Sequence, residues 1–300
     1  MSQSWGKPEW TDITGQLVED DILLITLSRE QQRNAYTVAM GNQLIEAFEL
    51  ADGDDSVRAI VVTGAGDFFC AGMDLGTSGN VFGIDESVDL NLAQLRQAVA
   101  DGTVPDRILD QGGRVARAIH RCGKPVAAAI NGPGVGVGAT MTLAMDFRLA
   151  SPNAKIGFVF NRIGIVPEAC STFFLPSLVG MQQALEWFYL ASPVTADEAL
   201  AGGLLRSIHA REDLVADAIA LMKKLTRDRS PLAQAITRKI VRRTQEDVVL
   251  SAHLRESLAM QWLSMRDGKE GVTAFMEKRP AEFRSSPSED LPPDFDEWFD

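Results

Sequence analysis

A chain of 300 residues and 32.6 kDa, 45% hydrophobic and 23% charged, carries enough apolar mass for one large domain or two modest ones. Wholesale disorder and a collagen-like chain are excluded. A net charge of −12 repels phosphate backbones and anionic lipid, which argues against nucleic-acid and membrane partners.

In chain order, residues 1–12 read as a loose arm carrying Trp5 and Trp10. Ile22–Leu27 reads as a strand. Thr37 is a plausible N-cap for a helix to about Ala51, in which Met40, Leu44 and Phe48 repeat every four residues. Val57–Thr63 is a second strand, closed by the turn Gly64-Ala65-Gly66-Asp67. The segment 74–104 opens as polar loop and continues as an amphipathic helix around Val88–Ala100. Residues 125–130 form a third strand, followed by a glycine-rich loop from Asn131 to Gly138 and a buried apolar helix. Phe147–Ala150 and Ile156–Val159 are short strands. From about Pro176 the strand signals stop and helical periodicity takes over: 181–191, 195–201, 211–227, 231–244, 247–266 and 269–278. Residues 285–300 contain three prolines and read as an extended or disordered tail whose Phe295, Trp298 and Phe299 could still dock. Six acids in the last dozen residues (Glu289, Asp290, Asp294, Asp296, Glu297, Asp300), with no base among them, put half of the net charge there.

Cys70, Cys122 and Cys170 are far apart and form no CxxC pair. His120, His209 and His253 are equally scattered. Neither a disulfide framework nor a metal site is expected. The N-terminal MSQSWGKPEW lacks a basic-then-apolar signal, and no apolar run reaches membrane-span length, so a cytoplasmic location is expected.

Two glycine-marked turns carry the most chemistry: Phe68 to Leu75 (FFCAGMDL) and Asn131 to Gly138 (NGPGVGVG). Small residues there let backbone approach a ligand, and free N–H groups can face developing negative charge. The second loop is G-x-G-x-G-x-G, which is neither the dinucleotide fingerprint nor a P-loop. Taken alone, its glycines could equally make only a tight strand-to-helix turn.

With three further segments these turns resemble the crotonase superfamily, the enoyl-CoA hydratase/isomerase family. Arg33-Asn34-Ala35 is similar to the family's R-N-A motif, VVTGAGDFFCAGMDL to its first oxyanion segment, and KPVAAAINGPGVGVGATMTLAMDFRLAS to its second. IGFVFNRIGIVPEACSTFFLPSLVG resembles the strand and loop after it, and EGVTAFMEKRPAEF the C-terminal helix. The resemblance covers roughly residues 13–284. It implies an α/β fold: a crotonase-like spiral of ββα turns over 13–200, then a helical C-terminal trimerisation region over 201–284. Trimers or hexamers are implied as assemblies, and acyl-CoA thioesters as substrates. Coenzyme A would then arrive as part of the substrate, with no tightly bound cofactor.

By motif position, the resemblance implies that the backbone N–H groups of Ala71 and Val137 hold the thioester oxygen. The family's hydratases place glutamates where this chain has Thr140 and Phe160, which speaks against efficient hydration. Glu168, in Pro167-Glu168-Ala169-Cys170-Ser171, resembles the single catalytic glutamate of peroxisomal-type Δ3,Δ2-enoyl-CoA isomerases. A carboxylate there could carry a proton from C2 to C4, or simply cap a helix beginning near Ala169. Phe158, Phe160, Phe173 and Phe174 are expected to wall a dry pocket. Asp74 and Asp146 read as turn and strand-end residues, and Cys70 and Cys170 as buried structural thiols. Candidate coenzyme A contacts are Arg29, Arg33, Ala35, Ala71, Gly72, Asp74, Leu75, Phe275 and Lys278. The leading expectation is therefore an enoyl-CoA isomerase. Hydration of 2-enoyl-CoA and a non-catalytic acyl-CoA-binding scaffold are the alternatives.

Overall fold

The computed structural model describes residues 5, 9–76, 80–105, 107–243, 245–286 and 289–299. β1 (Ile13–Val18) turns back on β2 (Ile22–Leu27), and α1 (Val38–Gly53) follows. Thr37 caps α1, its hydroxyl accepting from the Met40 N–H at 2.9 Å. Then come β3 (Ala59–Gly64), α2 (Leu92–Asp101), α3 (Gln111–Arg121) and β4 (Val126–Ile130). A compact stretch holds β5 (Gly134–Val135), α4 (Val137–Thr140), β6 (Phe147–Ala150) and β7 (Lys155–Gly157). After α5 (Ser171–Val179) and α6 (Met181–Leu190) come β8 (Pro193–Thr195), α7 (Ala196–Ala201) and β9 (Ser207–Ile208). The remaining helices are α8 (Leu214–Thr226), α9 (Pro231–Arg243), α10 (Glu246–Ser264) and α11 (Asp267–Glu277).

The strands form a six-stranded sheet in the order β1-β2-β3-β4-β6-β9 and a three-stranded sheet β5-β7-β8. Only the β1–β2 pair of the large sheet is antiparallel. β3 and β4 are buried along their whole length, which explains why they read as unbroken apolar runs rather than alternating ones. Alternate residues serve two faces. Ile60, Val62, Val126 and Ala128 belong to the main core with Leu44, Phe48, Val115 and Ile119 from α1 and α3. Ala59, Val61, Ala127 and Ala129 meet Leu214, Ala218 and Met222 of α8 on the other side. Each fully buried aliphatic side chain here contributes about 1.5–3 kcal/mol.

Several expectations are corrected. The second half is not all helical: β8 pairs antiparallel with β7, and β9 extends the large sheet beside β6. These strands have three and two residues, too short for a period to register. α3, which no sequence pattern announces, starts at Gln111, where Asp110 caps it and accepts from the Gly113 N–H at 2.5 Å. At Trp5 and Trp10, described residues of the N-terminal arm, the chain is docked rather than loose. Trp5 and Trp10 are buried in the main core, and the Trp10 Nε1–H donates to Glu46 at 2.8 Å. Val249 and Met260 of α10 belong to that same core, whereas Leu254 and Leu258 of α10 join Leu92, Leu95 and Ile108 in a separate cluster. The tail docks through Trp298, which packs with Leu254 and Leu258 of α10.

Asp146 fastens the C-terminal helices to the sheet. It accepts from the Val126 N–H at 2.8 Å, Arg238 Nε at 2.8 Å and Arg242 Nη2 at 2.7 Å. Burial raises its proton affinity, but the two guanidiniums outweigh that and hold it below the usual carboxylate range. Among the described residues no helix is long and apolar enough to cross a membrane.

Candidate active site

The two glycine-marked turns lie against each other because buried asparagines tie them down. Asn34, in the left-handed region at φ 53°, donates from Nδ2 to Ala65 O at 2.9 Å and Phe68 O at 2.8 Å. Asn131 donates to Gly66 O at 2.8 Å and accepts from the Gly64 N–H at 3.1 Å. The Val135 N–H donates to Cys70 O at 2.9 Å, joining the turns directly. Gly72 has φ 94°, and a Cβ there would stand 3.0 Å from Val135 O. Gly136, at φ 55° and ψ −126°, occupies a conformation open essentially to glycine alone.

This packing decides which N–H groups are free. The Ala71 N–H donates to Arg33 O at 3.1 Å, so it is not available to a ligand. The Met73 N–H, two residues on, donates to no acceptor among the described residues. Val137 starts α4, and its N–H likewise has no acceptor among them. Met73 and Val137 both line a cavity of about 500 Å3. In the first turn the amide left open to the cavity is therefore that of Met73 rather than that of Ala71, and in the second it is that of Val137. Residue type could not reveal this, because the donors are backbone and the choice depends on which amides the fold has already paired.

Glu168 lines the same cavity and is buried. It does not cap a helix. α5 begins at Ser171, and the Glu168 carboxyl turns inward, with Oε1 2.6 Å from the Thr140 hydroxyl. Its reach comes from backbone strain: Ala169 and Cys170, both non-glycine, sit at φ 61° and 56°. Two buried carboxyls clamp that turn from behind. Glu256 of α10 accepts from the Cys170 N–H at 2.6 Å and from the Thr172 N–H at 2.9 Å. Asp110 accepts from the Ala169 N–H at 3.4 Å. Asp110 also accepts from Ser257 Oγ at 2.9 Å and lies 3.1 Å from His253 Nε2.

Burial drives the Glu168 carboxyl well above its usual range, and the neighbouring Asp110 charge adds to this; only the Thr140 hydroxyl opposes it substantially. Asp110 is pushed up by burial too, but His253 and its hydrogen bonds outweigh that, and it stays lowered. Burial pushes Glu256 up to about 8. Two adjacent carboxyls with opposite shifts are a pattern of acid/base sites.

Of the other expected contacts, Ala35, Ala71, Gly72, Asp74, Leu75 and Phe275 line the cavity. Arg29 does not; it is engaged with Asp74 at 3.0 Å and Ala35 O at 2.5 Å. Arg33 is exposed and lies over the Phe68 ring at 5.2 Å. Lys278 is exposed at the end of α11 and away from the cavity lining. Arg162, which no motif singles out, is exposed at the cavity. The aromatic wall is also corrected: of its four members only Phe160 lines the cavity. Phe158 stacks on Trp187, Phe174 lies against His120, and Phe173 borders a second pocket. Cys70, Cys122 and Cys170 are buried thiols, with Cys70 pushed up to about 12 by burial, so none is an activated nucleophile. His120 is driven down to about 4 by burial and the nearby Arg242. Ser207, His209 and Asp217 form a hydrogen-bonded chain at 2.7 and 2.6 Å, but none of them lines the cavity.

Residues 18–106 and 109–286 match the family model described as enoyl-CoA hydratase/isomerase. Over 269 residues the chain is 39% identical to the enoyl-CoA hydratase AFT3-1 of Alternaria alternata, covering 89% of this chain and 84% of that one. It is 29% identical to the 1,2-epoxyphenylacetyl-CoA isomerase of Escherichia coli, covering 89% and 96% respectively. The crystal structure of an enoyl-CoA hydratase/isomerase from Pseudoalteromonas atlantica T6c superposes with a TM-score of 0.76 at 27% identity, covering 91% of this chain and all of that one. With its fold, its paired backbone turns and its buried cavity carboxyl, the chain belongs to the enoyl-CoA hydratase/isomerase family of the crotonase superfamily.

Proposed function

We propose that this enzyme shifts the double bond of a 3-enoyl-CoA to the 2-position, with Glu168 as the proton shuttle. The observation that carries this is the inward-facing Glu168 carboxyl at a cavity with two free backbone N–H groups, Met73 and Val137. Ionised above its raised midpoint, the carboxylate takes a proton from C2, and the electron pair moves onto the thioester oxygen. The two N–H groups hold that oxygen. The same carboxyl returns the proton at C4, leaving the conjugated 2-enoyl thioester and regenerating the carboxylate. Phe160 and Thr140 stand where a second carboxylate would otherwise handle water, and Thr140 instead orients Glu168. Arg162 is the exposed base positioned to meet coenzyme A phosphate at the cavity.

A second reading, hydration of a 2-enoyl-CoA, draws support from hydratase names among the relatives, AFT3-1 included. One pair of assays separates them. Conversion of 3-enoyl-CoA without loss of 2-enoyl-CoA to water supports the isomerase; hydration of 2-enoyl-CoA alone overturns it. Binding of both without turnover, and without exchange of the α-proton with deuterated water, points to an acyl-CoA-binding scaffold.

We also infer self-association as a homotrimer or a hexamer. Leu232, Ile236 and Ile240 form an exposed apolar stripe at four-residue spacing on α9. Light scattering on the purified chain tests this, and a monomer at micromolar concentration would refute it.

A further inference from the structure

We propose that Asp110 is the positioning residue of Glu168: it fixes the strained turn that carries the Glu168 carboxyl and stands beside that carboxyl at the cavity. The inference rests on the reading of Glu168 as the proton shuttle. Its observations concern a different element, the N-terminus of α3, and the face of α10 that backs it.

The Asp110 carboxylate is held by its neighbours. Oδ1 accepts from Gly113 N–H and Ala169 N–H, and Oδ2 accepts from Ser257 and faces His253 Nε2. These contacts fix it at the cavity lining, where it meets the Glu168 carboxyl. Its bond to Ala169 falls on the first of the two left-handed residues after Glu168. Relaxing that turn would swing the Glu168 side chain away from Thr140. The His253 imidazole is fully buried, with Nε2 3.1 Å from Asp110 Oδ2, and does not line the cavity.

The titratable groups around Glu168 are few. Asp110 comes from the start of α3, Glu256 from α10, Tyr36 from the loop before α1, and Cys70 and Cys170 from the two adjoining turns. His253 acts behind Asp110. Of these, Asp110 is the one whose carboxyl is held below its usual range while that of Glu168 is pushed above it. A like charge at this range favours the protonated neighbour, and removing it releases that proton at lower pH.

The test reads the Glu168 proton directly. Infrared difference spectra between each protein and its Glu168→Gln counterpart follow the protonated-carboxyl band with pH, without substrate. Asp110→Asn is expected to move the Glu168 midpoint down by about one pH unit or more. His253→Gln removes the contact that holds the Asp110 carboxyl low, so burial pushes Asp110 up and the Glu168 midpoint is expected to fall as well. A downward movement supports the proposal, because a residue that merely caps a helix would leave the midpoint in place. An unchanged or raised midpoint overturns it. Circular dichroism checks folding; if Asp110→Asn does not fold, the His253→Gln shift alone decides, downward in favour and absent or upward against. The pH profile of isomerisation should follow the same midpoints. Shifted midpoints in a protein that never turns over 3-enoyl-CoA would leave the Asp110 assignment standing and refute the isomerase reading.

Discussion

The Glu168 carboxyl lies directly against the Gly112 backbone: a Cβ at Gly112 would stand 1.7 Å from Oε2. Gly112→Ala must therefore push the carboxyl aside while leaving its charge and its Thr140 neighbour in place. Displacement by about 1 Å costs on the order of 10²-fold in a positioned reaction. Isomerisation in this variant is expected to slow by about that factor in kcat, with KM little changed. Turnover at the wild-type rate would mean that Glu168 need not occupy the observed position.

Glu168→Gln is expected to lower kcat by about 10²–10⁴-fold, the usual contribution of a positioned general base, while binding of acyl-CoA persists. The same substitution should stabilise the protein. Below the ordinary carboxylate range, folded and unfolded states both hold the proton and nothing is gained or lost. As pH rises, the unfolded chain ionises while the buried carboxyl keeps its proton, so the wild type loses stability until the folded midpoint is passed. Glu256, raised to about 8, acts in the same direction over its own range. Thermal melts should show Glu168→Gln more stable than wild type at pH 7, with the gap closing near pH 4. A gap independent of pH would refute the assignment of the raised carboxyl to Glu168.

Much of the fold and site is legible in the sequence, and what is not has identifiable causes. The long strands and the Thr37 cap announce themselves through local patterns of a few residues, and Glu168 through the resemblance of Pro167-Glu168-Ala169-Cys170-Ser171 to a family motif. Asp110, His253, Glu256 and Ser257 do not, because the group spans 147 residues from Asp110 to Ser257 and each member reads locally as a cap or a polar helix position. The aromatic wall failed for another reason. Phe158 and Phe160 have the same side-chain parity on an extended segment, yet the chain leaves β7 at Gly157 and turns into a 3-10 helix at Phe160, so only Phe160 reaches the cavity.

Val137 offers a test of the oxyanion donors that leaves the side chains of the carboxyl cluster alone. It opens α4, the helical position at which proline is best tolerated. Val137→Pro removes one N–H and is expected to reduce kcat by about 10²–10³-fold, with acyl-CoA affinity retained by calorimetry. Unimpaired turnover would place the second donor elsewhere.

Asp146 supplies a prediction about acid stability. Its buried pairing with Arg238 and Arg242 contributes above the ordinary carboxylate range and is lost as pH falls through the lowered folded value. Asp146→Ala leaves both guanidiniums without their carboxylate and is expected to cost about 3–5 kcal/mol in chemical denaturation at pH 7. A loss under about 1 kcal/mol, the scale of an exposed pair, would show that the backbone carbonyls bound by Arg238 suffice.

Trp298 sits on one side of α10 with Leu254 and Leu258, and its carbonyl accepts from Arg255 Nε at 2.7 Å. His253, Glu256 and Ser257 interleave with those positions on the same helical turns and face the Glu168 turn. Trp298 and the turn that carries Glu168 thus lean on a single rod. A bulky group joined beyond Trp298 would load that rod on the side opposite the cavity carboxyl.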